Sequence, residues 1–261
     1  MSGKYLRPLQ QAPGFTPIIT PGEMIFTEFG ILRLAPGEHF TQQRDGVETG
    51  LVLLSGDCLI TAPGVNCAAA RRDVFQDNPT TVYLPSGMGW TITARTATEV
   101  AVSTALSNRP GKPQVIAPQD VAVKTLGQPT WQRDARFMLT TDVDAEHLFI
   151  GEAIVSGGNW ASYPPHRHDF DNLPAEIDME EVYFFKLDRP QGFGIQKVYT
   201  DDGSIDETYT VRDNDTVFIP EGYHPVTVAP GYTLYYLWVM AGNNRGFISQ
   251  LDPNHQWIAK G

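Results

Sequence analysis

One seven-residue pattern occurs twice in this chain and limits what it can fold into. Thr81-Val82-Tyr83-Leu84-Pro85-Ser86-Gly87 is echoed by Thr216-Val217-Phe218-Ile219-Pro220-Glu221-Gly222, with the prolines 135 positions apart in 261 residues. Each copy is a run of β-branched and aromatic residues closed by a Pro-x-Gly turn. Each is followed by a strand-like segment, Trp90–Ala94 in the first half and Val226–Val228 in the second. Repetition over half the chain points to an internal duplication of one structural lobe.

The rest of the chain agrees with an all-β reading. Helical periodicity is hard to find, whereas short runs of Val, Ile, Thr, Tyr and Phe recur between Gly, Pro, Asn and Asp. The 24 glycines and 20 prolines supply the turns that such a fold consumes. Expected strands in the first half are Gly30–Leu34, Thr49–Leu54, Cys58–Thr61, Thr81–Leu84, Trp90–Ala94 and Val100–Ala105. In the second half they are Leu148–Val155, Glu181–Leu187, Gly194–Thr200, Thr208–Val211, Thr216–Ile219 and Leu234–Val239. The expected organisation is a lobe over 1–107, a Pro-rich connector over 108–134 and a second lobe over 135–261.

Thirty acidic against nineteen basic residues give a net charge of -11, which argues against nucleic acid or an anionic membrane as a partner. Cys58 and Cys67 are the only cysteines, too few for a disulfide framework or a Cys-rich zinc site. Neither a signal-like apolar core nor a span of ~20 apolar residues is present, so a cytoplasmic location is expected.

The chemistry concentrates in the second half. Pro164-Pro165-His166-Arg167-His168-Asp169 places two imidazoles at i and i+2, which share a face in a strand. Glu180-Glu181 follows, and then His224 two residues beyond Gly222. A lone His-x-His carries little weight, but three of the six histidines in this order beside strand-like sequence can enclose a divalent cation with coordination positions left open. Glu180 and Glu181 face opposite sides of a strand, so one of them reaches such a site and the other is expected to be a solvated residue. His39, His147 and His255 have no partner at ligand spacing. In the first half Gly89 stands where the second has His224, so that lobe is expected to be structural.

These motifs resemble those of the cupins, small jelly-roll barrels with a His-x-His…Glu motif and a Pro-x-Gly…His motif. The chain is similar to a bicupin, two jelly-roll β-barrel lobes in one chain, with one live lobe. Within the cupins it most resembles the 5-deoxy-glucuronate isomerases, through Gly158–Asp169, Asp171–Pro174, Glu180–Tyr183, Gln196–Asp202, Val217–Val226 and Val239–Gly242. Twelve residues between His168 and Glu181, and an early His224, depart from the common cupin spacing and fit this narrower group.

The resemblance implies an aldose–ketose isomerase that converts 5-deoxy-D-glucuronate to 5-dehydro-2-deoxy-D-gluconate in myo-inositol catabolism. It implies His166, His168, Glu181 and His224 as ligands of one divalent metal ion, with zinc, manganese, iron and nickel all compatible. Tyr183, on Glu181's face, and Gln196, on the next strand, are the candidate catalytic residues. Lys186, Lys197, Arg212 and Arg245 are available for the substrate carboxylate, and nothing in the sequence selects among them. Arg167 is expected to point away from the metal. The expected partners are a small sugar acid and further copies of the chain in a homo-oligomer. Cupins also host dioxygenases and sugar-binding proteins, so an isomerase of the 5-keto-4-deoxyuronate type, a metal-dependent dioxygenase and a non-enzymatic sugar-binding module stand as alternatives.

Overall fold

The computed structural model describes residues 3–8 and 12–260. Its strands are β1 (Leu6–Pro8), β2 (Gly14–Ile19), β3 (Thr27–Leu34), β4 (His39–Gln42), β5 (Val47–Ala62), β6 (Val65–Arg71), β7 (Thr81–Leu84), β8 (Trp90–Ala94), β9 (Thr98–Leu106), β10 (Gln114–Ile116) and β11 (Ala122–Leu126). They continue as β12 (Arg133–Leu139), β13 (Leu148–Ser156), β14 (Trp160–Ala161), β15 (His166–Arg167), β16 (Glu180–Leu187), β17 (Gly194–Tyr199), β18 (Asp206–Val211), β19 (Asp215–Ile219), β20 (Val226–Val228), β21 (Thr233–Ala241) and β22 (Gln250–Leu251). A short 3-10 segment, Gln256–Lys260, is the only helix among the described residues. The all-β expectation holds.

Contacts divide the described residues into two compact units. One comprises those within Met1–Leu9, Val123–Arg136 and Gly151–Gly261, the other those within Gln10–Ala122 and Phe137–Ile150. This partition differs from the boundaries expected from sequence, and strand pairing explains the difference. β1 pairs with β19 in the later half of the chain. The segment expected as a connector holds β10, which pairs with β7, and β11, which borders β12.

The duplication is visible in the pairing scheme. In the unit containing Gln10–Ala122, β5 lies between β7 and β9 over its first part and between β6 and β8 over its second. In the other unit β16 lies between β19 and β21, and β17 between β18 and β20. The pairs β4–β8 and β10–β7 correspond likewise to β14–β20 and β1–β19. β5 is one strand where the sequence suggests two, because the expected break is a bulge. Its register shifts between Leu53 and Ser55, and Gly56 follows at φ +102° with Ala97 O only 2.4 Å from where a Cβ would sit. An extra residue bends a strand without ending it, and only glycine fits so close a backbone.

The unit containing Gln10–Ala122 holds an apolar core, with Leu32, Leu51, Ile60, Leu84 and Ile92 all within one packed cluster. Register makes the contrast with the other unit specific. Thr49 opposes Leu84, and its counterpart Glu181 opposes Ile219, so in the Gln10–Ala122 unit a threonine occupies the equivalent of the Glu181 position. Next to it, Glu48 is fully buried and accepts hydrogen bonds from the backbone N–H of Glu146, His147 and Leu148 at 2.7–2.8 Å and from Tyr83 Oη at 2.8 Å. Replacing Glu48 with Ala leaves these buried donors without partners and should lower stability by about 3 kcal/mol or more in denaturant titration. Arg95→Ala, which removes an exposed pair with Asp57, should change stability by less than about 0.5 kcal/mol.

Candidate metal centre

β16 is a central strand covered on both faces, so all but one of its residues are buried. Alternation puts Glu181, Tyr183 and Phe185 on one face. The ligand-type atoms of His168, Glu181 and His224 all lie within 4.8 Å of one another, and all three residues are buried. Glu181 Oε2 sits 3.2 Å from His168 Nε2 and 3.1 Å from His224 Nε2. His166 is not part of this tight group, although its ring centroid is 4.9 Å from that of His224 and 6.3 Å from that of His168.

Each imidazole is oriented from behind by its other nitrogen. His224 Nδ1 donates to Gly222 O at 2.8 Å, His168 Nδ1 donates to Met179 O, and His166 Nδ1 faces Pro164 O at 3.4 Å. A proton held at Nδ1 leaves the His224 Nε2 lone pair free to face the centre, which is how metal-binding histidines are commonly held, whereas His168 Nε2 is hydrogen-bonded to Glu181. His224 Nε2 is buried and, despite its closeness to Glu181, lacks the alignment of a hydrogen bond. A buried ring nitrogen without a hydrogen bond, facing a carboxylate and a second imidazole, fits a divalent cation.

The electrostatics follow from the same contacts. Burial pushes the Glu181 carboxyl up, and the imidazoles of His168 and His224 more than reverse it, so it is held below the usual carboxylate range. Burial pushes His168 down, but its hydrogen bond and charge interaction with Glu181 prevail and its pKa is raised. His166 feels the Glu181 charge without a hydrogen bond to it. Burial, followed by the charges of His224 and His168, pushes it down to about 3, so it is a neutral nitrogen donor at physiological pH. The Tyr183 hydroxyl shares a 2.6 Å hydrogen bond with Ser162, and burial raises its pKa well above the usual phenolic value. Its ring stands 5.8 Å from that of His224. Gln196 is buried with its amide on the backbone, Nε2 donating to His224 O at 2.6 Å.

The long spacing between His168 and Glu181 has a local explanation. Met179 N donates to His168 O at 2.9 Å while His168 Nδ1 donates to Met179 O, so the excursion returns to where it began. Asp169, beside the His-x-His, accepts from Gly222 N with both carboxylate oxygens at 2.9 Å and so ties the two motifs together. Gly222 itself has φ +100°, and a Cβ there would meet Tyr199 O at 2.6 Å. Arg167 turns away to Glu176 and Asp201, as expected. The expectation for Glu180 is corrected, since it is 6% exposed rather than solvated because both faces of β16 are covered. Its counterpart Glu48 is a buried carboxylate in the other unit.

Of the cations considered for the substrate carboxylate, Lys186 bonds Asn214 on the far face of β16, Lys197 pairs with Asp206 and Arg212 is exposed. The cation whose charge reaches His166 and Tyr183 is Arg133, in the stretch expected to be a connector. Its sequence neighbourhood, Trp131-Gln132-Arg133-Asp134, gave no strand signal, and only the sheet order places it here.

The chain matches the model of the KduI/IolB family over residues 10–258. It is 40% identical over 240 residues to a 5-deoxy-glucuronate isomerase of Bacillus licheniformis, covering 90% of this chain and 89% of that one. Against the 5-deoxy-glucuronate isomerase of Bacillus subtilis strain 168 the identity is 39% with the same coverage. Its structure is similar to that of an IolB-like protein from Salmonella typhimurium LT2, with a TM-score of 0.94 and 33% identity over 98% of this chain and 100% of that one. An oxalate decarboxylase of Lactobacillus farciminis, at 13% identity and a TM-score of 0.69, shares the cupin fold alone. No helix among the described residues is long and apolar enough to cross a membrane.

Two substitutions separate the supports of the site from the site itself. Asp169→Ala removes a charged acceptor from the Gly222 turn and should cost about 1.5–3 kcal/mol, read as a lower denaturation midpoint. Glu180→Gln should lower stability measurably through its buried carboxylate while leaving metal content intact.

Proposed function

The chain belongs to the KduI/IolB family, and from that premise we propose that it is a metal-dependent isomerase acting on 5-deoxy-glucuronate. The observation that carries the reading is the buried His168–Glu181–His224 group with His224 Nε2 left without a hydrogen bond. His168, Glu181 and His224 would hold one divalent ion, and His166, neutral and adjacent to His224, would supply a fourth donor. When bound, such an ion supplies Lewis acidity to a carbonyl oxygen and keeps a net positive charge, since three ligands are neutral and one is a carboxylate.

Interconverting a 2-hydroxy aldehyde and a ketone moves a hydrogen from C2 to C1 and a proton from the hydroxyl oxygen to the carbonyl oxygen. The Tyr183–Ser162 pair can hold and pass a proton at Tyr183 Oη and Ser162 Oγ, on the face that carries Glu181. A phenol kept protonated by burial acts as a donor toward oxygen rather than as a base toward carbon. Gln196 acts further back, gripping the His224 carbonyl and fixing where that imidazole stands.

Purified protein should carry about one divalent ion per chain by elemental analysis. Supplied with 5-deoxy-glucuronate, it should show loss of the aldehyde proton and growth of a ketone by NMR. Glu181→Gln should lose most of the metal and lower turnover about 100-fold or more. Full activity in metal-stripped protein would sink the metal reading, and an inert metal-loaded protein would sink the substrate.

A further inference from the structure

The metal-site face of the seven-stranded sheet carries one cation that the reading above leaves without a task. The sheet runs β1-β19-β16-β21-β13-β12-β11. Tyr235 and Tyr236 are neighbours on β21 and so face opposite sides. Tyr235 Oη donates to Glu152, which also receives Arg136 on β12, so Tyr235, Glu152 and Arg136 share one side. Tyr236 is on the other, its ring 4.6 Å from that of Tyr183. Arg133 lies three residues before Arg136 in β12, and alternation therefore turns it to the side of Tyr236, Tyr183 and Glu181.

Packing narrows its position further. Gln132 N donates to Asn159 Oδ1 at 3.2 Å and Trp160 N donates to Thr130 O at 2.9 Å, so the start of β12 is stitched to the segment that leads through Ser162 to His166. The Trp131 ring is 6.3 Å from that of Tyr163 in the same segment. Burial is the largest influence on His166, Tyr183 and Tyr236, and the charge of Arg133 reaches all three. Arg133 is half-buried, and among the described residues its guanidinium has neither a hydrogen bond nor an ion pair. Arg136, by contrast, is committed to Glu152 at 3.2 Å. A guanidinium that pairs with no carboxylate of the chain, beside an aromatic-lined site, is suited to take one from a ligand, because its planar fork matches a carboxylate with two parallel hydrogen bonds.

We propose that Arg133 receives the carboxylate of the sugar acid, fixing the end of the substrate opposite its aldehyde and selecting uronates over neutral aldoses. The proposal rests on the isomerase reading above and adds to it the residue that sets substrate class. It places specificity on a strand the sequence leaves looking like a linker.

The test compares wild type with Arg133→Gln and Arg133→Lys on two substrates, 5-deoxy-glucuronate and its counterpart with a hydroxymethyl group in place of the carboxylate. In Arg133→Gln the ratio of kcat/KM for acid over neutral sugar should fall about 10- to 100-fold, chiefly through KM for the acid, as expected for loss of one charged hydrogen-bonded pair. Arg133→Lys should recover part of it. Equal losses on both sugars, or an unchanged ratio, overturn the proposal. Calorimetry with the aldehyde-reduced acid, which keeps the carboxylate but cannot isomerise, decides the matter independently of turnover. A tenfold weaker affinity in Arg133→Gln supports the anchor, and equal affinity overturns it. A metal-loaded wild type inert toward the acid refutes the isomerase reading alone, and the calorimetric comparison still judges Arg133.

Discussion

The Glu181 carboxylate, held between the Nε2 atoms of His168 and His224 at 3.2 and 3.1 Å, is the contact around which the candidate metal centre is arranged. A buried carboxylate is costly unless charge or hydrogen bonds compensate it, so everything that orients the two imidazoles also stabilises the strand that carries Glu181. The backbone supplies that orientation. Gly222 and Met179 carbonyls hold the far nitrogens, Gln196 grips the His224 carbonyl, and Asp169 binds the Gly222 amide. The two sequence motifs are thus one hydrogen-bonded assembly, and a change in either turn displaces a ring nitrogen that faces the centre.

The duplicated architecture shows what the site requires beyond a scaffold. Both units pair their strands alike, yet only one of them brings two imidazoles and a carboxylate together, while the other holds a packed apolar cluster. Thr49 and Gly89 occupy the positions of Glu181 and His224. Their counterparts one step out of phase, Glu48 and Glu180, are buried acids in both units. Sheet register, and not composition, therefore separates a structural glutamate from a ligand-type one, since a single step moves a side chain to the other face.

Much of this was legible in the residues. The runs Thr81–Leu84 and Trp90–Ala94 are strands with those bounds, because β-branched and aromatic residues are concentrated there, with Pro85 ending the first and Gly89 preceding the second. His168, Glu181 and His224 do converge. What the sequence hid depends on tertiary pairing. β15 and β22 are two-residue strands that exist only through each other. β1 looks like a loose terminus until β19 gives it a partner. Glu180 reads as solvated until both faces of β16 are seen to be covered. Arg133 reads as a linker residue because its strand signal is weak, and only the sheet order turns it toward His166 and Tyr183.

The proposed function requires that the space between His168, Glu181 and His224 belong to a metal ion rather than to a hydrogen-bonded imidazole–carboxylate cluster. Anomalous diffraction at the absorption edge of the metal found in active protein tests it most directly. A bound ion should give a single strong peak within about 2.0–2.3 Å of His168 Nε2, His224 Nε2 and a Glu181 carboxylate oxygen. Crystals of fully active protein with no peak there, and Glu181 still hydrogen-bonded to His168, would contradict it.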